Sequence, residues 1–341
     1  MSENLARNRR RSLKRHLLTL LGSLFLSAAV LAALWHHSQI RFDMFVAKWT
    51  EADKSILGAL IVLSAAFHIF VGAHKLWCIL RSLSLKIAYV EALRIRLGVG
   101  PLRVLVPLDG GELLNVAYFW RHKRMPVGRA AGAAAFDRGL NVMGSFFWLF
   151  LGLSILPDAW PSQWSPAWRL PAALLAVAAY FIGLFCLPLH ELAISVAGKL
   201  HPKLARFLAG VLAPFREFDW RKKLFFSAYA LFFQVRPLAV YWFLFKAYGV
   251  TMEGVKILAY GSLAGIGAHL PGFLVGLGPR EAFTVALFRG QAPDEVLLGV
   301  GILLTFTVHI IPMLLGLPWM MWFLRRLRQT EEDKALHGEI G

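Results

Sequence analysis

Seven ionisable side chains lie where a lipid solvent would reject them. Asp109, Glu112, Asp137, Arg138, Arg236, Arg280 and Glu281 all fall in or beside apolar runs. A charge at the bilayer centre costs about 2.5–3.5 kcal/mol on the insertion scale. Such residues face a polar cavity and find partners there, so the chemistry they suggest is ionic recognition. Arg138 and Arg280 suit an anion, while Glu112 and Glu281 suit an amine or serve as partners of the arginines. Gly110, Gly111, Gly276 and Gly278 let backbone approach a ligand closely. Half-helix N-termini at such glycines expose N–H groups that favour an anionic group. The candidate substrate-binding set is therefore Asp109, Gly110, Gly111, Glu112, Asp137, Arg138, Arg236, Gly278, Arg280 and Glu281. An ion-pair network that serves packing alone is the competing reading.

The same residues offer little to an enzyme. The chain has no nucleophile elbow, phosphate-binding glycine loop, HExxH or deaminase pattern. Gly98-Val99-Gly100 lacks the third glycine and the strand context of a dinucleotide site. Glu112 and Asp137 are the groups acid–base work would use, but no pattern argues for it. No catalytic residue, metal or cofactor is expected. His68 and His74 are six apart, on different faces of a helix, and His269 and His309 lack ligand spacing. They read as core or interface histidines, with a proton relay as the alternative. Cys78 and Cys186 lie in apolar runs and are too few for a disulfide framework.

Two interrupted segments must position the charges. The first is Val104-Leu-Val-Pro107-Leu-Asp109-Gly110-Gly111-Glu112-Leu-Leu-Asn115. The second is His269-Leu-Pro271-Gly272-Phe-Leu-Val-Gly276-Leu-Gly278-Pro279-Arg280-Glu281. Backbone broken by Pro and Gly leaves polar groups that lipid cannot satisfy, so it must line a cavity or lie within protein. Broken apolar segments in matching halves point to a transporter's central site.

The 341 residues are 57% hydrophobic and 17% charged, with a mean hydropathy of +0.57. That composition predicts an all-α polytopic membrane protein with one membrane domain over 1–341. The net charge of +17 is spread over several loops. It therefore reads as topogenic and lipid-facing, not as a nucleic-acid surface. About six spans are expected, at Leu17–Trp35, Ser55–Leu80, Gly128–Ile155, Leu170–His190, Leu224–Leu244 and Val296–Leu324. The run from Leu17 is too long for a signal peptide and reads as an uncleaved first span.

Basic clusters at the N-terminus (1–16), at Arg81 to Arg103, at Arg121 to Arg129, at Lys199 to Lys223 and in the 325–341 tail predict cytoplasmic placement, termini included. The stretch 157–168, nearly uncharged with three tryptophans, suits the outer interface. Segment 104–120 then enters and leaves from the cytoplasm, and segment 257–288 from outside. Two opposed re-entrant hairpins result, within an inverted repeat of 17–156 and 170–324. Arg138 follows Pro126 by 12 residues, and Thr305 follows Pro293 by 12. The stretch Glu191 to Phe218 reads as an amphipathic surface helix.

At these motifs the chain resembles the flippase-like family named for the transmembrane region of lysylphosphatidylglycerol synthase. The matching residues are Pro107, Gly111-Glu112, Phe136-Asp137-Arg138, and Leu270-Pro271 through Gly276-Leu-Gly278-Pro279-Arg280-Glu281 to Pro293. Asn115 stands where that family often has a basic residue. The resemblance implies lipid translocation in a cytoplasmic (inner) membrane. The implied partners are membrane lipids, whether anionic or zwitterionic phospholipids or a lipid-linked intermediate, with a lipid-modifying enzyme or a second copy of the chain as further candidates. The family's lysyl transfer belongs to a separate soluble domain, for which a chain ending at Gly341 leaves no room, so aminoacyl transfer is not expected. The alternatives are a proton- or ion-coupled transporter of a small solute, and a partner or transferase component of a lipid-modification pathway.

Overall fold

The structure is a computed structural model that describes residues 2–105, 110–156, 186–267, 273 and 276–336, with scattered positions between 171 and 185. The chain is all-α, and the described residues form no strand. In order come α1 (Ser2–His37), α2 (Phe42–Glu51), α3 (Lys54–Ser82), α4 (Tyr89–Leu105), α5 (Gly110–His122) and α6 (Val127–Ile155). Then follow α7 (Leu187–Leu200), α8 (Pro202–Glu217), α9 (Trp220–Ala247), α10 (Gly254–Gly267), α11 (Pro279–Phe288) and α12 (Asp294–Leu327). Five apolar stretches are long enough to cross a bilayer: Leu18–His37 within α1, and α3, α6, α9 and α12. Nine of the 21 residues of the span expected at Leu170–His190 lie outside the described residues.

Four helices too short to cross alone flank the two interrupted segments. At 1.5 Å per residue, α4, α5, α10 and α11 reach about 26, 20, 21 and 15 Å, less than a hydrocarbon core of about 30 Å. They form two antiparallel pairs. In the first, Lys123, just past α5, bonds Glu91 near the start of α4 at 2.7 Å. At the other end Arg103 of α4 meets Glu112 of α5 at 2.6 Å. In the second, Lys256 of α10 donates to Gln291, just past α11, at 2.9 Å. Gly267 at the far end of α10 lies against the Phe283 ring of α11. The first pair begins at Tyr89, well before the segment expected from the Pro107 break. Arg94, Arg96 and Arg103 therefore belong to a helix, not to a basic loop.

Buried apolar side chains form two clusters at opposite ends of the bundle. One joins Leu57 and Leu60 of α3 to Leu244 and Phe245 of α9 and Val296 to Leu304 of α12. The other joins Leu76, Ile79 and Leu80 of α3 to Phe136 of α6, Phe226 of α9 and Phe323 of α12. Each helix pair belongs to one cluster. Ile257, Ala264, Val285 and Phe288 of α10 and α11 enter the first. Ala92, Ile95, Val99, Leu102, Tyr118 and Phe119 of α4 and α5 enter the second.

Small residues allow the tight crossings on which membrane helices depend. Gly98 of α4 meets the backbone of Trp319, and Gly316 of α12 meets that of Leu97. Gly128 and Gly132 of α6 meet Gly210 of α8. The stretch expected as one surface helix is two, broken at Pro202. His201 caps the second by accepting from the Lys203 amide at 3.1 Å. Two π-helical turns, Ile257–Gly261 in α10 and Phe306–Ile310 in α12, widen those helices locally. Gly152 of α6 has the backbone of Ala259 against it, in the first of these turns.

Candidate functional site

Between the apolar clusters lies a layer of polar and charged side chains. On α3 it falls between Leu60 and Leu76, where Ser64, His68 and Lys75 interrupt the apolar surface. On α9 it contains Arg236, between Ala230 and Leu238. On α11 it coincides with the helix start, where Arg280 and Glu281 are 5% and 0% exposed. On α4 and α5 it includes Arg96, Arg103 and Glu112.

The two helix pairs present their charges differently. Glu281 is bound within its own turn. Its carboxylate accepts the Gly278 N–H at 2.6 Å and the Thr305 hydroxyl of α12 at 2.6 Å. The Gly278 donor is thus already taken, so this helix N-terminus does not present it to a ligand. Gly278 has φ +98° and lies against Ser27 and Val30 of α1, where its lack of a side chain is required. Arg280 donates to Thr305 at 2.8 Å and contacts Nε2 of His309 at 2.9 Å. Thr305, placed by spacing opposite Arg138 in the other half, therefore links Arg280 and Glu281 across α11 and α12.

In the first pair, Glu112 takes Arg103 as its cation and also accepts from the Asn115 amide at 3.0 Å. Gly111 packs against Arg103. Asp109 lies outside the described residues, and Gly110 begins α5. Asp137 of α6 is paired with Lys75 of α3 at 2.7 Å, both sealed from solvent. Lys75 also donates to Asn141, one turn beyond Asp137, at 2.5 Å. The Phe233 ring stands 4.7 Å from its ammonium, adding a cation–π contact. Arg138, next to Asp137 in sequence, is half-buried and turned about 100° from it around the helix.

Three carboxylates are thus accounted for, and two arginines remain. Arg236 makes one long hydrogen bond, to Ser64 Oγ at 3.4 Å, and its guanidinium lies 5.9 Å from the Phe233 ring, but no carboxylate among the described residues pairs with it and its Nε has no partner. Arg96 lies against Gly72, and its Nε has none either. Sequence reasoning singled out Arg236 but missed Lys75, Arg96 and Arg103. A signal existed for the last two. Ala92, Arg96, Val99 and Arg103 follow the i, i+4, i+7, i+11 spacing of one helix face, and Ala92 and Val99 are buried. His68 and His74 do face different surroundings. His68 lies near Phe233 and Arg236, whereas His74 lies against Tyr229 and Cys78.

Fold and layer together define a multi-pass helical membrane protein with a buried ionic centre between two short helix pairs. The family described as the lysylphosphatidylglycerol synthase TM region matches residues 19–328, and the chain belongs to it. No curated protein matches the chain.

Proposed function

We propose that the protein moves a polar lipid headgroup across the cytoplasmic membrane, along the charged layer between two re-entrant hairpins, while the acyl chains stay in lipid. The observation that carries this reading is the excess of buried cations at the layer, in a chain of a lipid-related family. A phosphate headgroup crossing bare hydrocarbon must lose its hydration. Fixed guanidinium groups replace that hydration and lower the barrier. In this reading α4–α5 enters from the cytoplasm and α10–α11 from outside, both termini are cytoplasmic, and each hairpin tip ends at mid-depth. The short helices and their membership of opposite apolar clusters support it. The chain acts as a transporter, not an enzyme, on anionic or zwitterionic lipid. A lipid-modifying enzyme is the natural neighbour. The sealed Lys75–Asp137 pair favours a second reading, coupling to protons.

The test is leaflet exchange by the purified protein in proteoliposomes, read as bleaching of headgroup-labelled lipid by an impermeant reductant, with and without a proton gradient. Exchange above that of empty vesicles, reduced in Arg280→Ala at equal protein level, is expected. Equal exchange in empty, wild-type and variant vesicles, across lipid classes and gradients, refutes transport.

A further inference from the structure

Arg96 and Arg236 are 8% and 9% exposed, and each keeps an Nε sealed from solvent without a partner. They come from different elements, α4 of the first helix pair and α9 of the bundle, yet meet one stripe of α3. Ser64, His68 and Gly72 are spaced four apart on that stripe, so they face the same way. Arg236 reaches Ser64 at its start, and Arg96 packs on Gly72 at its end. His68 stands between them, within electrostatic range of both, and its Nδ1 is also sealed and unpartnered.

The charges around this group do not compensate it. The charges acting on Arg236 are those of Arg96 and Arg280, both cations. Those acting on Arg96 include Asp137 and Glu112, but each of these carboxylates already holds its own cation, Lys75 or Arg103. A buried, unpaired arginine is expensive and leaves donors unmet. Two facing one stripe of α3 create a region of positive potential whose natural complement is an anion with several acceptor oxygens. Guanidinium groups match tetrahedral oxyanions in geometry as well as charge. Gly72 keeps the helix wall low enough for Arg96 to lie flat on it. A Cβ there would sit 3.0 Å from Arg96 Nε.

We propose that Arg96 and Arg236, with Ser64 and His68 on the α3 stripe, form a binding site for a phosphate-type oxyanion. The inference deepens the transport reading by naming the headgroup's charged part, but the site stands or falls by binding alone. It also differs from the Arg280 cluster, whose guanidinium is engaged by Thr305 and His309.

The test uses the full chain purified in detergent and reads thermal unfolding and equilibrium binding. The probes are inorganic phosphate, phosphatidylglycerol in mixed micelles, and diacylglycerol as the lipid without phosphate. Phosphatidylglycerol should raise the wild-type midpoint and diacylglycerol should not. Arg96→Met and Arg236→Met should each weaken phosphatidylglycerol binding at least tenfold, whereas Arg41→Gln, on the surface, should leave it unchanged. Competition by inorganic phosphate separates the sources. Saturation by phosphate alone assigns the site to the free anion, and failure to compete assigns it to the lipid headgroup.

Unfolding without any ligand separates this site from a structural role. Removing an uncompensated cation should leave the apo midpoint unchanged or raise it. A lowered apo midpoint in both methionine variants, with phosphatidylglycerol still bound at wild-type affinity, overturns the proposal. So does equal stabilisation of the wild type by diacylglycerol and phosphatidylglycerol. Should either variant fail to fold, Arg96→Lys and Arg236→Lys keep the charge but lose the fork, and wild-type affinity in both would likewise overturn it. Binding that is intact without leaflet exchange refutes transport and leaves the site. Exchange that is intact in the double methionine variant removes the site from the transport route.

Discussion

Cutting the Lys75–Asp137 pair should be far more damaging than deleting it whole. The ammonium and carboxylate are 2.7 Å apart, with side chains 1% and 8% exposed. At an effective dielectric of 20 their attraction is about 6 kcal/mol, offset by a desolvation cost of several kcal/mol per ion. The pair therefore contributes little net stability, yet each member alone is an uncompensated charge worth about 3–5 kcal/mol of destabilisation. Asp137→Asn leaves Lys75 with Asn141 and the face of Phe233, so its cost should fall near about 3 kcal/mol, at the lower end of the range for such losses. Lys75→Met leaves Asp137 with only the more distant charges of Arg96 and Arg103 and should cost more. Lys75→Met with Asp137→Leu removes both charges together, so neither is left uncompensated, and should cost about 1 kcal/mol or less. The assay is a double-mutant cycle of unfolding free energies in detergent micelles. It should give a coupling of at least about 3 kcal/mol. A coupling below about 1 kcal/mol, the size typical of an exposed pair, would refute the buried-pair reasoning. Leaflet exchange by the stable double variant then decides whether the pair also carries protons. Loss of gradient dependence alone would assign it that task, and unchanged gradient dependence would deny it.

Four further outcomes are expected. Gly278→Ala places a Cβ at φ +98° and 3.2 Å from Val30, and should lower the thermal midpoint by the equivalent of about 1 kcal/mol or more. Gly265→Ala, a helical glycine with open space, should instead hold or raise it. Asp53 caps α3 outside the span, and the Ser55 hydroxyl together with the Ile56 and Ser55 amides holds its carboxyl below the usual aspartate range. Its folded value is the lower one, so its stabilisation is present above the unfolded value of about 3.9 and fades as pH falls below it. In a pH series of thermal midpoints, Asp53→Asn should abolish that part of the acid dependence while keeping an acceptor at the cap, and an unchanged acid limb would contradict this. For sidedness, a cysteine at Gln163 should react with an impermeant thiol reagent from outside sealed cells, and one at Lys123 only from inside. Labelling of position 123 from outside would overturn the opposed-hairpin topology.

What could be read from the sequence, and what could not, follows from how charge is encoded along a chain. Pro107, Gly110-Gly111, Pro271 and Gly276 to Pro279 break apolar runs, and a break is a local property, visible without knowing any neighbour. Arg236, Arg280 and Glu281 stood out for the same reason, as ions among apolar neighbours. Lys75 did not, because it lies only six residues before Arg81 near the end of a span, where lysine ordinarily reaches for the interface. Its burial depends on Asp137 and Asn141, one turn apart on α6, and only packing brings them there. Arg96 did not stand out, for a related reason. Counting basic residues gives the side of the membrane but not the face of a helix, and Arg94 and Arg96 count equally. The structure separates them. The Arg94 guanidinium lies over the Trp319 and Trp322 rings of α12, while Arg96 turns in against Gly72 of α3. Topogenic counting adds charges and discards their phase, whereas the buried layer depends on phase alone. The stripe of Ala92, Arg96, Val99 and Arg103 was therefore the available clue. An arginine that repeats in register with buried alanine and valine either meets a carboxylate or awaits an anion. Arg103 meets Glu112, and Arg96 is left facing the same stripe of α3 as Arg236.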